Sequence, residues 1–186
     1  MDLQKFGIKL FIKQGNIYSP KDFIPVFHNW IQNSSLPEHL LIDVVDYSHI
    51  YDGPGVLLTA HEGHISLDNE HEMPGLFYLR KTKISGDFIE RFKTILSTSL
   101  FIANLCQNNE SFNSIQFLSN SFRFISNDRL LAENNDKNQI MLSKEVKEAL
   151  ASIYPKVNWI MEDYSQKEER LAFTVKLEDN KSNIFT

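Results

Sequence analysis

Residues 6 to 13 alternate, with Phe6, Ile8, Leu10 and Ile12 on one face and Lys9 and Lys13 on the other. That period of two predicts a strand with one face buried and one in water. The period then lengthens. Phe23, Ile24, Phe27 and Ile31 recur at helical spacing, and Ser19-Pro20 supplies an N-cap and a first-turn proline. Asn33-Ser34-Ser35 and Pro37 end that helix near Gln32. Leu40 to Tyr47 is apolar on both faces, which predicts a central strand covered on both sides. After a turn at Asp52-Gly53-Pro54-Gly55, strands are expected at Val56–Glu62, His64–Asp68 and Leu76–Lys81, with an exposed connection through Asp68–Glu72 and Pro74-Gly75.

The longest helix is expected from Ser85 to about Cys106, with Phe88, Phe92, Ile95, Leu96, Ser99, Ile102 and Ala103 as its apolar stripe. Residues 114 to 126 have strand character broken by a turn at Ser119-Asn120, and Glu133–Gln139 reads as a polar loop. Ser143 is expected to cap a third helix whose inner face is Val146, Ala149, Leu150 and Ile153. Val157, Trp159 and Met161, then Leu171, Phe173, Val175 and Leu177, alternate around a hairpin loop at Ser165–Glu169. Strands adjacent in sequence tend to pair. The expectation is therefore an α+β fold in two layers, a mostly antiparallel sheet with about three helices on one side. It occupies one domain, residues 1–178, followed by a frayed tail, residues 179–186.

Composition narrows the class. A chain of 186 residues, 42% hydrophobic with 14 Phe, has the apolar surface to fold without a staple. The single Cys106 excludes an internal disulfide and a cysteine-based zinc site. Its place at a helix C-terminus, where the dipole opposes a thiolate, makes it a poor nucleophile. The chain shows neither a signal peptide nor an apolar run of membrane-spanning length. A soluble cytoplasmic protein with no membrane partner is the expectation. The net charge of −5 disfavours a nucleic-acid partner. The charge is unevenly spread. Residues 22 to 79 contain no Lys or Arg, nine acids and all six histidines, so they carry −9 and leave +4 for the rest.

Two constellations in that window are candidate chemistry. The first is Asp43, Asp46, His49 and Asp52, running along and past an apolar strand. A buried carboxylate needs a cation, a hydrogen bond or a metal, but Asp also serves turns by bonding nearby amides. The second is His61-Glu62-Gly63-His64, followed by Asp68, whose ligand types suit zinc, manganese or iron. The histidines are at i and i+3 in a strand, not at i and i+4 on a helix, so the zinc-protease motif is absent. They face opposite sides unless Gly63 bends the chain. The candidate divalent-metal set is therefore His49, His61, Glu62 and Asp68. His28, near the first helix's apolar stripe, is expected to be half-buried. Asn127-Asp128-Arg129 follows a strand, and Arg129 is a candidate anion contact beside the plainer reading of a turn with a local ion pair.

Three segments together carry a resemblance: Phe23 to Gln32, Leu41 to Leu67 with its Asp46-Tyr47-Ser48-His49 and Asp52-Gly53-Pro54-Gly55-Val56 runs, and Asn127 to Leu131. Over most of its length the chain resembles a family of conserved bacterial proteins of unknown function. That family's pattern has His-Glu at the position of His61-Glu62 and no consistent histidine at that of His64. The resemblance implies no activity, but it directs attention to Asp46, His49, Asp52, His61 and Glu62. With no complete catalytic motif, the leading expectation is a non-catalytic binding or regulatory module, with a homo-oligomer as one form it can take. The alternative is a metal-dependent enzyme built on residues 43–72.

Overall fold

The structure, a computed structural model, describes every residue except 17, 52, 113–114, 163, 179–182 and 186. The chain runs β1 (Phe6–Ile12), α1 (Phe23–Asn33), β2 (Leu41–Tyr47), β3 (Gly55–Ala60), β4 (Gly63–Asp68), β5 (Gly75–Arg80), α2 (Phe88–Gln107), β6 (Phe117–Ser126), α3 (Asp136–Ile153), β7 (Trp159–Glu162) and β8 (Ala172–Leu177). The short links between β2, β3, β4 and β5 favour a meander of antiparallel neighbours. Among the described residues the sheet has eight strands in the order β2-β3-β4-β5-β1-β6-β8-β7, and every neighbouring pair is antiparallel. This is the α+β fold read from the sequence.

All three helices contribute to one large apolar cluster with Phe6, Ile8 and Leu10 of β1 and Phe122 and Phe124 of β6. The ring of Phe6 lies 5.5 Å from that of Phe88 on α2 and 5.3 Å from that of Phe124, so strand and helix share one aromatic core. Local chemistry fixes the helix starts. Ser19 and Asp22 form a capping box on the turn that leads into α1, and Asp87 and Glu90 form another on α2.

Several elements depart from the sequence reading. β2, expected to be central, is an edge strand. Its helix side packs beneath α1, while Ile42 remains 55% exposed. β1, expected to be half-buried, is buried at all seven positions because it lies mid-sheet between β5 and β6 and its second face is covered by chain connections. The turn expected at Ser119-Asn120 lies inside β6. The interruption is instead a register irregularity, with Leu10 facing Phe122 but Ile12 facing Phe117. α3 begins at Asp136, where Asn135 accepts the Asn138 N–H, so the polar run expected as a loop is partly helical. Ser143 is interior to α3, and its hydroxyl donates to the Ile140 carbonyl. The tail was expected to fray, yet Ile184 is buried, donates its N–H to Ser119 and accepts from the Tyr154 hydroxyl. Among the described residues, no helix is long and apolar enough to cross a membrane.

Candidate functional site

The sheet face opposite the helices is the unusual one. Ser66, Phe77, Lys9, Arg123 and Thr174 lie side by side across five strands, each opposite the next in register. In an uncovered sheet such a row would be wet. Here Lys9 is 1% exposed and Arg123 6%. The cover comes from two connections that meet over the row. His71 Nε2, after β4, lies 3.6 Å from Glu169 Oε1, before β8. Arg170 lies 3.5 Å from Glu70 Oε1, with its guanidinium 5.8 Å above the Phe77 ring. Beneath them, Phe77, Ile125 and Ala172 form a second small apolar cluster. The strap after β4 bends through two consecutive non-glycine residues in left-handed conformation, His71 (φ 59°) and Glu72 (φ 57°), a costly backbone that the surrounding contacts must hold.

Lys9 and Asp68 form a buried ion pair at the centre of this face. The pair spans a strand. Lys9 leaves β1, crosses β5 at Gly75 and meets Asp68 on β4, the direct partner of Gly75. A Cβ at position 75 would lie 2.8 Å from Lys9 Cε and 2.9 Å from Cγ, so the glycine provides the channel for the lysine stem. Asp68 Oδ1 accepts from Lys9 and, at 3.1 Å, from the Glu70 N–H at the foot of the strap. Burial pushes the Asp68 carboxyl above its usual range, against the pull of the Lys9 charge and these hydrogen bonds. Among the described residues, Oδ2 takes no hydrogen bond.

Asp68 borders two hollows. The larger is a groove of about 970 Å³ between residues 13–16, Tyr18 and Pro20 on one side and the strap on the other, and its lining includes Phe11, Leu67, Met73 and Thr174. That is the size and mostly apolar character of small-molecule sites. A smaller hollow of about 280 Å³ lies among Leu57, His64, Ser66, Phe77 and Arg170. Burial, and secondarily the Lys81 charge, lowers the pKa of His64, and its Nδ1 is buried without a hydrogen-bond partner. A neutral imidazole therefore lines that end of the face.

Of the residues singled out from sequence, Asp68 and His64 line this face, and the other described ones lie elsewhere. Asp46 Oδ1 accepts the Ser48 N–H at 2.9 Å and shapes the β2–β3 turn, and the Ser48 hydrogen bonds hold its carboxyl below the usual range. His49 is exposed in the same turn, and Asp52 lies outside the described residues. His61 is exposed in the β3–β4 turn. The adjacent Glu62 accepts the Leu40 N–H at 2.8 Å. Burial raises the Glu62 pKa, but hydrogen bonds from the Leu40 and Glu62 amides and the nearby His39 and His61 charges bring it below the ordinary value.

β3 stands between the turns holding His49 and His61, and its six residues span roughly 20 Å. The four candidate ligands are thus not brought together. Among the described residues, no group of three or more His, Cys, Asp or Glu is placed to hold a metal ion. His28, expected to be half-buried, is exposed on α1. Arg129 is exposed in a turn where Asp128 accepts the Leu131 N–H, and it does not line the groove.

Sequence reasoning missed Lys9, and with it the partner of Asp68. A lysine in the middle of a strongly apolar strand was the available signal. His39 was also passed over, although its Nε2 lies 2.7 Å from the Tyr78 hydroxyl and its Nδ1 2.8 Å from the Pro37 carbonyl. No protein-family model matches this chain, and no curated protein matches it.

Proposed function

We propose that the chain is a non-catalytic binding module that takes a small amphiphilic ligand in the groove beside the strap. The observation carrying this reading is the groove itself, about 970 Å³ and mostly apolar, bordered by the buried Asp68. Oδ2, which takes no hydrogen bond among the described residues, is a preset acceptor, so the fitting ligand has an apolar body and one donor group, as in a long-chain or aryl amine. Lys9 orients the carboxylate and has no separate catalytic task. The same reading takes the protein as cytoplasmic and without a nucleic-acid partner, in keeping with its net charge of −5. A metal-dependent enzyme on residues 43–72 has weaker support, because His49 and His61 sit at opposite ends of β3.

The test is thermal unfolding against a panel of long-chain and aryl amines, beside carboxylates with the same bodies. A fitting amine at roughly a hundredfold excess over its Kd adds about 2.7 kcal/mol of stability. Gln14→Trp, which fills the groove from an exposed wall position, abolishes the shift. Equal shifts in parent and variant, or from carboxylates as well as amines, refute the assignment.

A further inference from the structure

The edge strand β2 carries a second site, independent of the groove. The two edges of the sheet differ. β7 is four residues long, whereas β2 has seven and pairs only with β3. Open edges of this length are templates for an added strand unless something blocks them. The flanks are sticky. Of the ten exposed large apolar side chains among the described residues, Leu40, Ile42, Ile50 and Tyr51 fall within residues 40–51, and Leu40 is 66% and Tyr51 87% exposed.

The charge on the edge selects the occupant. β2 reads Leu41-Ile42-Asp43-Val44-Val45-Asp46-Tyr47, and both Asp43 and Asp46 are exposed. Residues three apart on a strand point to opposite faces. A second copy fits poorly. An antiparallel self-pairing about a two-fold keeps every side chain on its own face, so it brings a second Asp43 and Asp46, and no Lys or Arg of β2, to the shared edge. No Lys or Arg occurs between residues 22 and 79, and the cation that acts on Asp46 is Lys21, ahead of α1.

Asp43 also guards the edge, because its Oδ1 accepts the Val44 N–H at 2.8 Å and so occupies a donor that a neighbouring strand would use. A cationic side chain opposite Asp43 draws the carboxylate away and releases that N–H to the incoming carbonyl. We propose that β2 docks an extended segment of another protein with the pattern basic–apolar–apolar–basic, added antiparallel as a ninth strand. Its outer residues face Asp43 and Asp46 on opposite faces, and its inner pair faces Val44 and Val45.

The probe is a blocked, fluorescein-labelled peptide, Thr-Arg-Val-Val-Lys-Thr, titrated with the full chain by anisotropy. Binding is expected, and it weakens about tenfold when glutamates replace the two basic residues, which makes two exposed ion pairs repulsive, and about threefold when the chain carries Asp46→Lys, which makes one repulsive. A peptide N-methylated at alternate residues keeps its charges and loses its ladder hydrogen bonds, so it must bind far more weakly. Asp46 is exposed, and unchanged circular dichroism of the Asp46→Lys variant separates lost binding from lost folding. No binding of the parent peptide, equal binding of the N-methylated one, or indifference to Asp46→Lys overturns the proposal.

Discussion

Replacing Lys9 by Met keeps most of the stem that crosses Gly75 and removes the charge that faces Asp68. Both partners are nearly sealed, with side-chain exposures of 1% and 8%. Removing one member of such a pair leaves an uncompensated buried charge and costs about 3–5 kcal/mol. The cost depends on pH, and the sign follows from Asp68. Burial already sets its folded pKa above the ordinary 3.8, and Lys9 is the foremost influence opposing that rise. Without Lys9 the carboxyl rises further and takes a proton. A carboxyl with a raised folded pKa contributes its full stability below the unfolded value and loses it as pH climbs through the folded value. The deficit of Lys9→Met should therefore widen as pH climbs from the ordinary carboxylate range toward the raised folded value, by at most about 1.4 kcal/mol per unit.

Urea unfolding followed through Trp30 and Trp159 measures this at each pH. Adding Asp68→Asn, which keeps an acceptor for the Glu70 N–H, should recover at least half of the loss at pH 7. A Lys9→Met cost under about 1 kcal/mol, the size of an exposed pair, would refute the reasoning. So would a deficit that does not widen with pH, or a double variant no better than the single.

Gly55→Ala should lower Tm by about 6–12 °C, because Gly55 has φ 64° and a Cβ there would sit 1.9 Å from the Leu67 carbonyl oxygen; an unchanged melt would show that the β3–β4 bulge relaxes freely. Glu62→Gln should cost less than about 1 kcal/mol at pH 7, because the carboxylate is largely exposed and the amide still accepts the Leu40 N–H. Its folded pKa is lowered, so that contribution is present above the unfolded value and fades as pH falls through the folded one; a deficit growing on acidification would contradict this. Elemental analysis of protein purified without metal-affinity resin should give the same metal content for parent and His61→Ala, and metal lost only in the variant would restore His61 as a ligand.

The period of side chains along each segment identified nearly every strand and helix, because burial on one face leaves a local record. Position within the sheet leaves none. Lys9 on β1 read as the wet side of a half-exposed strand, since nothing near residue 9 announces that segments at 69–74 and 165–170 will cover it. Leu40 to Tyr47 read as central because it is apolar on both faces, yet one of those faces and the strand's edge meet water. The site was partly visible. Asp68 drew notice as a carboxylate in an apolar run, but its partner lies 59 residues away. His61 and His64 drew notice as metal-type ligands, although one is an exposed turn residue and the other lies on the opposite side of that turn.

β1 has a consequence for how the chain assembles. Strands β2 to β5 form one meander and β6, β8 and β7 a second group, and among the described strands the two meet only through β1. β1 precedes both of its partners in the sequence and must wait for them, and its β6 contacts close more than a hundred residues of intervening chain. The local hairpins of each half are free to form earlier, whereas the seam between them is a late, entropically costly step. Truncating the first dozen residues would thus do more than trim an end, for it would leave two half-sheets facing each other across an unfilled slot. A peptide of the β1 sequence supplied in trans is the natural piece to refill it.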